Sequence, residues 1–181
     1  MRNLPLAMLL LGGCASSDRP APNLYLRTEH ENDKRPIYFE TQKLYPRSKS
    51  VVMKTEGTPG KMRPPTIEAG EATLAYLHHW HPATNSLADD SHGTTFLFIF
   101  DHIPATPWKV ELPAKGVDLL YFDELPDGKA ITGEATGGWI EVREAGERRL
   151  TADLDLAITT HPPGAAKPVT LYLMGRFSVE R

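Results

Sequence analysis

The C-terminal third of the chain alternates between apolar and polar side chains, and this pattern restricts the fold more than any other feature. Every second residue from position 150 to 158 is apolar, and the positions between them are mostly polar. Residues 169–179 repeat the pattern. Successive side chains of a β-strand point to opposite faces of the sheet. The alternation therefore predicts antiparallel strands with one buried face and one solvated face.

The remaining sequence also favours strands over helices. Residues 72–80 and 94–100 are apolar on both faces, as expected for central strands that are covered on each side. Sixteen prolines and fourteen glycines indicate many turns, and only residues 84–90 could form a helical turn. We expect about nine to eleven short strands in an all-β fold, either an antiparallel β-sandwich or a partly closed barrel. Further candidate strands are residues 23–27, 37–41, 50–55 and 138–143.

The N-terminus has the anatomy of a secretory signal peptide. One basic residue, Arg2, precedes the apolar run 4–11, and two glycines separate this run from Cys14. A basic start, a short apolar core and a small-residue end are the parts of such a signal. The core is shorter than the ~20 apolar residues that a membrane-spanning helix needs. The stretch Leu11-Gly12-Gly13-Cys14 resembles the lipobox of bacterial lipoproteins.

The lipobox resemblance implies that the Cys14 thiol carries a diacylglycerol, that cleavage falls before Cys14 and that the new amino group is acylated. We therefore expect a signal peptide at 1–13, a lipidated cysteine with a flexible tether at 14–22, and a single β domain at 23–181. Two or more acyl chains give stable membrane anchoring. Ala15 favours the outer membrane, facing the periplasm, over the inner membrane or the cell surface.

Two alternatives stay open for the N-terminus: an ordinary secreted protein that is cut near Cys14, or an N-terminal helix with a buried cysteine. Cys14 is the only cysteine, so the chain can form no internal disulfide and no thiol-based metal site elsewhere. The chain has 20 Lys+Arg against 23 Asp+Glu. This balance gives no support for nucleic-acid binding, which usually goes with a basic surface.

The C-terminal third carries Gly138-Trp139-Ile140-Glu141-Val142, followed by a predicted hairpin and by Gly175-Arg176-Phe177 in the final strand. This arrangement resembles small exported β-sandwich lipoproteins of unknown function. The resemblance supports the fold and implies no activity.

Five histidines cluster along two of the predicted strands: His78, His79, His81, His92 and His102. If 72–80 and 94–100 pair as a hairpin, His79 and His81 project on one side and face the loop that holds His92. Imidazoles joined by a further His or Asp can bind zinc, copper or nickel. The candidate ligands of a zinc or copper ion are therefore His79, His81 and His92. A surface patch of histidines without any cofactor is the simpler expectation.

Carboxylates share one face of the C-terminal strands. Asp153 and Asp155 alternate with apolar residues, and Glu141 lies across the predicted hairpin. Paired carboxylates can perform acid–base chemistry, but the polar half of a regular alternation is expected to be a solvated face. Trp139 also falls on the polar side of its strand, where it either belongs to a binding surface or covers an open edge of the sandwich. We favour the second interpretation.

An anchor followed by a sheet domain favours a non-enzymatic lipoprotein that binds or scaffolds an envelope protein or polymer. The sequence contains no nucleophile elbow, no phosphate-binding glycine loop and no Ser-x-x-Lys motif. The alternative is a metal-binding lipoprotein that uses the three candidate ligands. A third class, a hydrolase of envelope polymers, stays open because one fold can host many functions.

Overall fold

The structure is a computed structural model that describes four stretches of the chain: residues 24–52, 66–81, 92–124 and 130–181. The predicted signal peptide, the lipobox with Cys14 and the tether lie outside these stretches, and so does the predicted helical turn at 84–90. None of the described segments forms a helix of the length and apolar character that crossing a bilayer takes.

The regular structure of the described residues consists of β-strands, which confirms the all-β prediction. The strands are β1 (Leu24–Thr28), β2 (Arg35–Ile37), β3 (Thr41–Val52), β4 (Thr66–Ala69), β5 (Ala72–His81), β6 (His92–Phe100), β7 (Trp108–Glu111), β8 (Val117–Glu124), β9 (Ala130–Ala145), β10 (Arg149–Thr160) and β11 (Val169–Glu180).

All of these strands belong to one 11-stranded sheet, and each pairing is antiparallel. The order is β2-β1-β11-β10-β9-β8-β6-β5-β3-β4, with β7 beside β9. This path is open, because β2 and β4 end it without pairing to each other. Of the two predicted architectures, a sandwich made by an open sheet fits this order.

The sheet folds over so that its two halves pack face to face around one core. The rings of Phe98 in β6 and Phe177 in β11 stack with their centres 4.8 Å apart, although these strands lie four places apart in the sheet order. The main core draws buried apolar residues from β1, β3, β5, β6, β8, β9, β10 and β11. We call the face that lines this core the inner face.

The alternation in the C-terminal third produces the predicted burial. In β10 the apolar residues are buried at every second position, and the residues between them are partly or fully exposed: the buried ones are Leu150, Ala152, Leu154, Leu156 and Ile158. Burial of apolar surface is the main driving force of folding, so this pattern places one face of β10 in the core.

The N-terminal half departs from the predicted strand boundaries. The sequence predicts separate strands at 37–41 and 50–55, whereas one long strand, β3, spans most of this region. Pro46 and Arg47 lie within β3 where its register with β5 shifts, and Arg47 has a φ of 51°. A β-bulge accommodates a proline such as Pro46, which has no backbone N–H to donate to the partner strand. The strand therefore continues through a sequence that looks like a turn.

One end of the sheet carries His81 at the end of β5, His92 at the start of β6 and Asp123 near the end of β8. We call it the histidine end. The first strand, β1, runs toward this end, because its last residue pairs with Leu171 near the start of β11. The start of β11 lies beside the end of β10, whose Thr160 pairs with Gly133.

Candidate metal site

The β5–β6 hairpin that the sequence predicts is present, and its register brings the histidines together. His81 pairs directly with His92, and His79 pairs with Thr94. The next strand over, β8, places Asp123 opposite Thr94. Residues that pair across neighbouring strands share a face of the sheet, and side chains two positions apart do so as well. These five side chains therefore lie together on the inner face at the histidine end.

Three of these side chains form a group with the spacing of metal ligands. One ligand atom each from His81, His92 and Asp123 lies within 4.8 Å of the other two. The rings of His81 and His92 stack with their centres 4.3 Å apart and their planes inclined by 13°. All three residues are half-buried. We call this group the candidate triad.

The Thr94 hydroxyl connects two members of the candidate triad. It donates a hydrogen bond to Asp123 Oδ1 over 2.7 Å, and it lies 3.0 Å from His81 Nε2. A hydroxyl has one proton to donate, so with that proton on Asp123 it accepts from the His81 Nε2–H. This arrangement leaves the Nδ1 lone pair of His81 available.

Burial acts in opposite directions on two members of the candidate triad: it favours the neutral imidazole that binds a metal ion, but it disfavours the ionised carboxylate. Burial, with added repulsion from His79 and His92, lowers the pKa of His81 to about 4, so its ring is neutral at neutral pH. Burial raises the pKa of Asp123 against the opposing effects of Thr94, His92 and Tyr121. Since burial disfavours the charged carboxylate, a cation beside Asp123 would supply the missing countercharge.

His79 stands next to the candidate triad but outside its 4.8 Å group. Its ring meets the His81 ring edge-on, with the two centres 4.3 Å apart. Its Nδ1 donates to Glu40 Oε2 over 3.2 Å, and the same oxygen accepts from the Trp80 backbone N–H over 2.8 Å. The His79 side chain is 21% exposed and that of Glu40 is 53% exposed. The pair therefore lies at the solvent-facing margin of the site.

The donor set suits a borderline transition-metal ion. Two imidazole nitrogens and one carboxylate oxygen are ligands that zinc accepts in proteins, and imidazole also suits copper and nickel. The ring of His81 is neutral, as such an ion requires, and the half-buried Asp123 carboxyl group would bind the ion in its ionised form. Three protein ligands leave at least one coordination position for a water or a further side chain.

The other candidate residues fall elsewhere. His102 follows β6 at the opposite end of the hairpin, where Phe100 pairs with Thr73, and is exposed. His78 points to the other face of β5, where its Nδ1 lies 3.0 Å from the Thr95 hydroxyl. His102 therefore lies apart from the other four histidines of the predicted cluster.

The carboxylates of the C-terminal strands form an ion-pair cluster. Asp153 accepts from Arg176 Nε over 2.6 Å and from Arg143 Nε over 2.8 Å, and Arg143 also pairs with Glu141 over 2.7 Å. These guanidinium contacts hold the Asp153 carboxylate on a polar face. Asp155 is exposed.

Trp139 is partly covered by the neighbouring strand β7. The Lys109 ammonium lies 4.1 Å from the centre of the Trp139 ring. In the strand register, Lys109 pairs with Glu141, two residues after Trp139 in β9. A cation over an aromatic face is a favourable contact. Trp139 is therefore a half-buried residue beneath a lysine.

Sequence patterns alone did not indicate Asp123, Thr94 or Glu40. Asp123 belongs to a strand that joins the hairpin through the fold, and Glu40 precedes a strand that pairs with the other side of β5. The only signal for Asp123 was an acidic pair, Asp123-Glu124, directly after an apolar strand. The chain matches no protein-family model, and no curated protein or solved structure shows significant similarity to it.

Proposed function

We propose that the protein is a lipid-anchored protein of the bacterial envelope that binds a divalent transition-metal ion, zinc or copper, through His81, His92 and Asp123. The convergence of their ligand atoms within 4.8 Å carries the metal-binding part of the proposal. Metal binding is one form of the broader function predicted from the sequence, which is binding at the envelope without catalysis. The site differs from the set predicted from sequence by including Asp123 in place of His79.

The test of metal binding uses the full chain, purified in detergent without a histidine tag and titrated with Zn²⁺ and then Cu²⁺ in a calorimeter. We expect one ion per chain with a Kd at or below about 1 μM, which corresponds to about −8 kcal/mol. Replacing both His81 and His92 by Ala is expected to weaken binding at least about 100-fold, because an ion held by one carboxylate loses most of its donors.

The matched control replaces His30 and His102, two exposed histidines outside the candidate triad, by Ala. This double variant removes the same number of imidazoles and is expected to retain the wild-type Kd. Binding that survives the loss of His81 and His92, or that disappears equally in the control, would reject the site.

The anchor part of the proposal rests on the sequence Leu11-Gly12-Gly13-Cys14 and on the apolar run before it. Cells that express the chain and are fed labelled palmitate are expected to incorporate the label into the protein. Cys14→Ser removes the only thiol and is expected to abolish labelling, whereas Ser16→Ala is a neighbouring control that leaves it intact. Labelling that persists in Cys14→Ser contradicts the anchor.

A further inference from the structure

We propose that His79 is the fourth protein ligand of the metal ion, that it binds through Nε2, and that Glu40 orients its ring for this purpose. This inference rests on the proposed function, since it assumes an ion at the candidate triad. It makes the site a closed one, with three imidazoles and one carboxylate around the ion.

The register of three strands places four donor side chains around a small residue. His79 and Asp123 flank Thr94 in one row across β5, β6 and β8. His81 and His92 form the next row toward the histidine end. Neighbouring strands lie about 4.7–4.9 Å apart, so the backbones of His79 and Asp123 are about two strand spacings apart. Thr94, with a short side chain, stands between them.

The His79 ring lies as close to the His81 ring as the His92 ring does. The His79 and His81 ring centres are 4.3 Å apart, and the His81 and His92 ring centres are also 4.3 Å apart. Imidazoles that bind one tetrahedral zinc ion through Zn–N bonds of about 2.0–2.1 Å have ring centres about 5 Å apart. The observed separation of the His79 and His81 rings is therefore within about 1 Å of the separation in a site that shares one zinc ion.

The hydrogen bond to Glu40 determines which nitrogen of His79 can bind an ion. An ionised carboxylate only accepts hydrogen bonds, so the His79 Nδ1 carries the proton and Nε2 carries the lone pair. The same carboxylate oxygen accepts from the Trp80 backbone N–H over 2.8 Å. This second hydrogen bond holds the carboxylate beside the His79 ring.

A carboxylate that accepts from the far nitrogen of an imidazole is the usual partner of a metal-binding histidine. Glu40 provides this contact to His79, and the Trp80 backbone N–H holds the same carboxylate oxygen over 2.8 Å. Thr94 provides the corresponding contact to His81. His79 and His81 thus each carry a hydrogen-bond partner on the nitrogen opposite the proposed bond to the ion.

Four protein donors in a tetrahedral arrangement favour zinc over Cu²⁺, which prefers square-planar or tetragonal sites. A closed shell of four side chains is the pattern of sites that retain an ion, whereas catalytic zinc sites keep a position open for water. We therefore expect the site to hold a zinc ion permanently.

The test compares Zn²⁺ affinity and the visible spectrum of the Co²⁺-loaded protein in wild type, His79→Ala and Glu40→Gln. We expect His79→Ala to weaken Zn²⁺ binding about 10- to 100-fold and to reduce the strong Co²⁺ absorption that four-coordinate sites give. Glu40→Gln is expected to weaken binding about 10-fold, which is the lower end of the effect of losing a hydrogen-bond partner of a ligand. The matched control is His78→Ala, because His78 is the neighbouring histidine on the opposite face of β5.

A direct readout needs no substitution. In wild-type protein loaded with an NMR-active cadmium isotope, we expect scalar coupling between the metal and the His79 Nε2. Wild-type binding without this coupling, or an unchanged Zn²⁺ affinity and Co²⁺ spectrum in His79→Ala, overturns the role of His79 and leaves the candidate triad in place. Absence of metal binding in the wild type overturns the proposed function itself. Glu40 is largely exposed, so Glu40→Gln tests its role without a risk to folding.

Discussion

At the scale of single residues, Thr94 is the side chain that links two members of the candidate triad. It is buried, and its hydroxyl joins His81 to Asp123 through contacts of 3.0 Å and 2.7 Å. Removing the hydrogen-bond partner of a buried polar group destabilises a protein by more than an average hydrogen bond stabilises it. The arrangement of the two ligands therefore depends on one oxygen atom.

Thr94→Val keeps the shape of the side chain and removes this oxygen. We expect the free energy of unfolding of the metal-free protein to fall by about 1–3 kcal/mol, because the half-buried Asp123 carboxyl group loses its hydrogen-bond donor. Thr94→Ser keeps the hydroxyl and is expected to lose less. Urea unfolding monitored by circular dichroism measures both, and equal losses in the two variants would contradict the role of the hydroxyl.

Asp153 shows how far ion pairs perturb a single carboxyl group. Its hydrogen bonds with Arg176 and Arg143 lower its pKa to about 2 from an ordinary value of 3.8. A carboxyl group with a lowered pKa in the folded state releases its proton more readily there than in the unfolded chain. Its contribution to stability is therefore complete above the ordinary pKa and is lost as pH falls through about 2.

Asp153→Asn is accordingly expected to lower the free energy of unfolding by about 1 kcal/mol at neutral pH, after allowance for solvent screening of the exposed guanidinium groups. The difference from wild type is expected to shrink below pH 4 and to vanish near pH 2. Denaturant unfolding across this pH range measures it. Asp155→Asn, an exposed neighbour on the same face, serves as the control, and a difference that is constant with pH would show that the charge is not involved.

At the scale of elements, Gly138 fixes the course of β9. Its φ is +94°, a region that residues with a Cβ rarely adopt. A Cβ on Gly138 would stand 2.0 Å from the Asp155 carbonyl oxygen of β10. The adjacent Gly137 has ordinary space, with the nearest atom, Ala157 Cβ, at 3.8 Å. Position 138 therefore requires a glycine, whereas position 137 in the same strand has space for a Cβ atom.

Gly138→Ala is expected to destabilise the protein by about 3 kcal/mol, since it adds both backbone strain and a clash with a neighbouring strand. Gly137→Ala is expected to change stability by less than about 1 kcal/mol and to raise it if the sheet accepts the methyl group. Thermal unfolding of the two variants side by side tests the contrast. A Gly138→Ala variant as stable as Gly137→Ala would contradict the described backbone.

The sequence supported the prediction of the histidine hairpin but not of the full site. Period-two alternation and the apolar segments at 72–80 and 94–100 are local signals, and they sufficed to pair β5 with β6. Asp123 joins the site only because β8 pairs with β6, and pairing between strands that are distant in sequence leaves no local mark. The predicted strand boundaries between residues 37 and 55 differ from those of β3 for a related reason: β3 continues through a bulge at Pro46, and a bulge depends on the partner strand.

At the scale of the whole molecule, the two halves of the sheet are held together by side chains that cross the core. Phe98 and Phe177 are almost completely buried and stack on each other from opposite halves. The sheet is open, because no backbone hydrogen bonds join its two terminal strands, β2 and β4. Side-chain contacts between the two packed faces therefore hold its halves together. The core therefore couples β6 to β11.

Phe177→Ala is expected to lower the free energy of unfolding by about 3–5 kcal/mol, the usual cost of removing a buried aromatic ring. Leu120→Ala, at an exposed apolar position of β8 with 38% relative exposure, is expected to cost less than about 1 kcal/mol. Chemical unfolding measured by tryptophan fluorescence and by circular dichroism distinguishes the two variants. A small loss in Phe177→Ala would mean that the halves are held by other contacts.

The direction of β1 determines how this domain would be presented to its surroundings. The chain enters the sheet at Leu24 and runs toward the histidine end. A domain held to a bilayer by residues ahead of Leu24 would therefore have its attachment and its candidate metal site at opposite poles. The distal pole would meet ions that arrive by diffusion from the aqueous compartment, at a distance from the lipid headgroups that compete for the same cations.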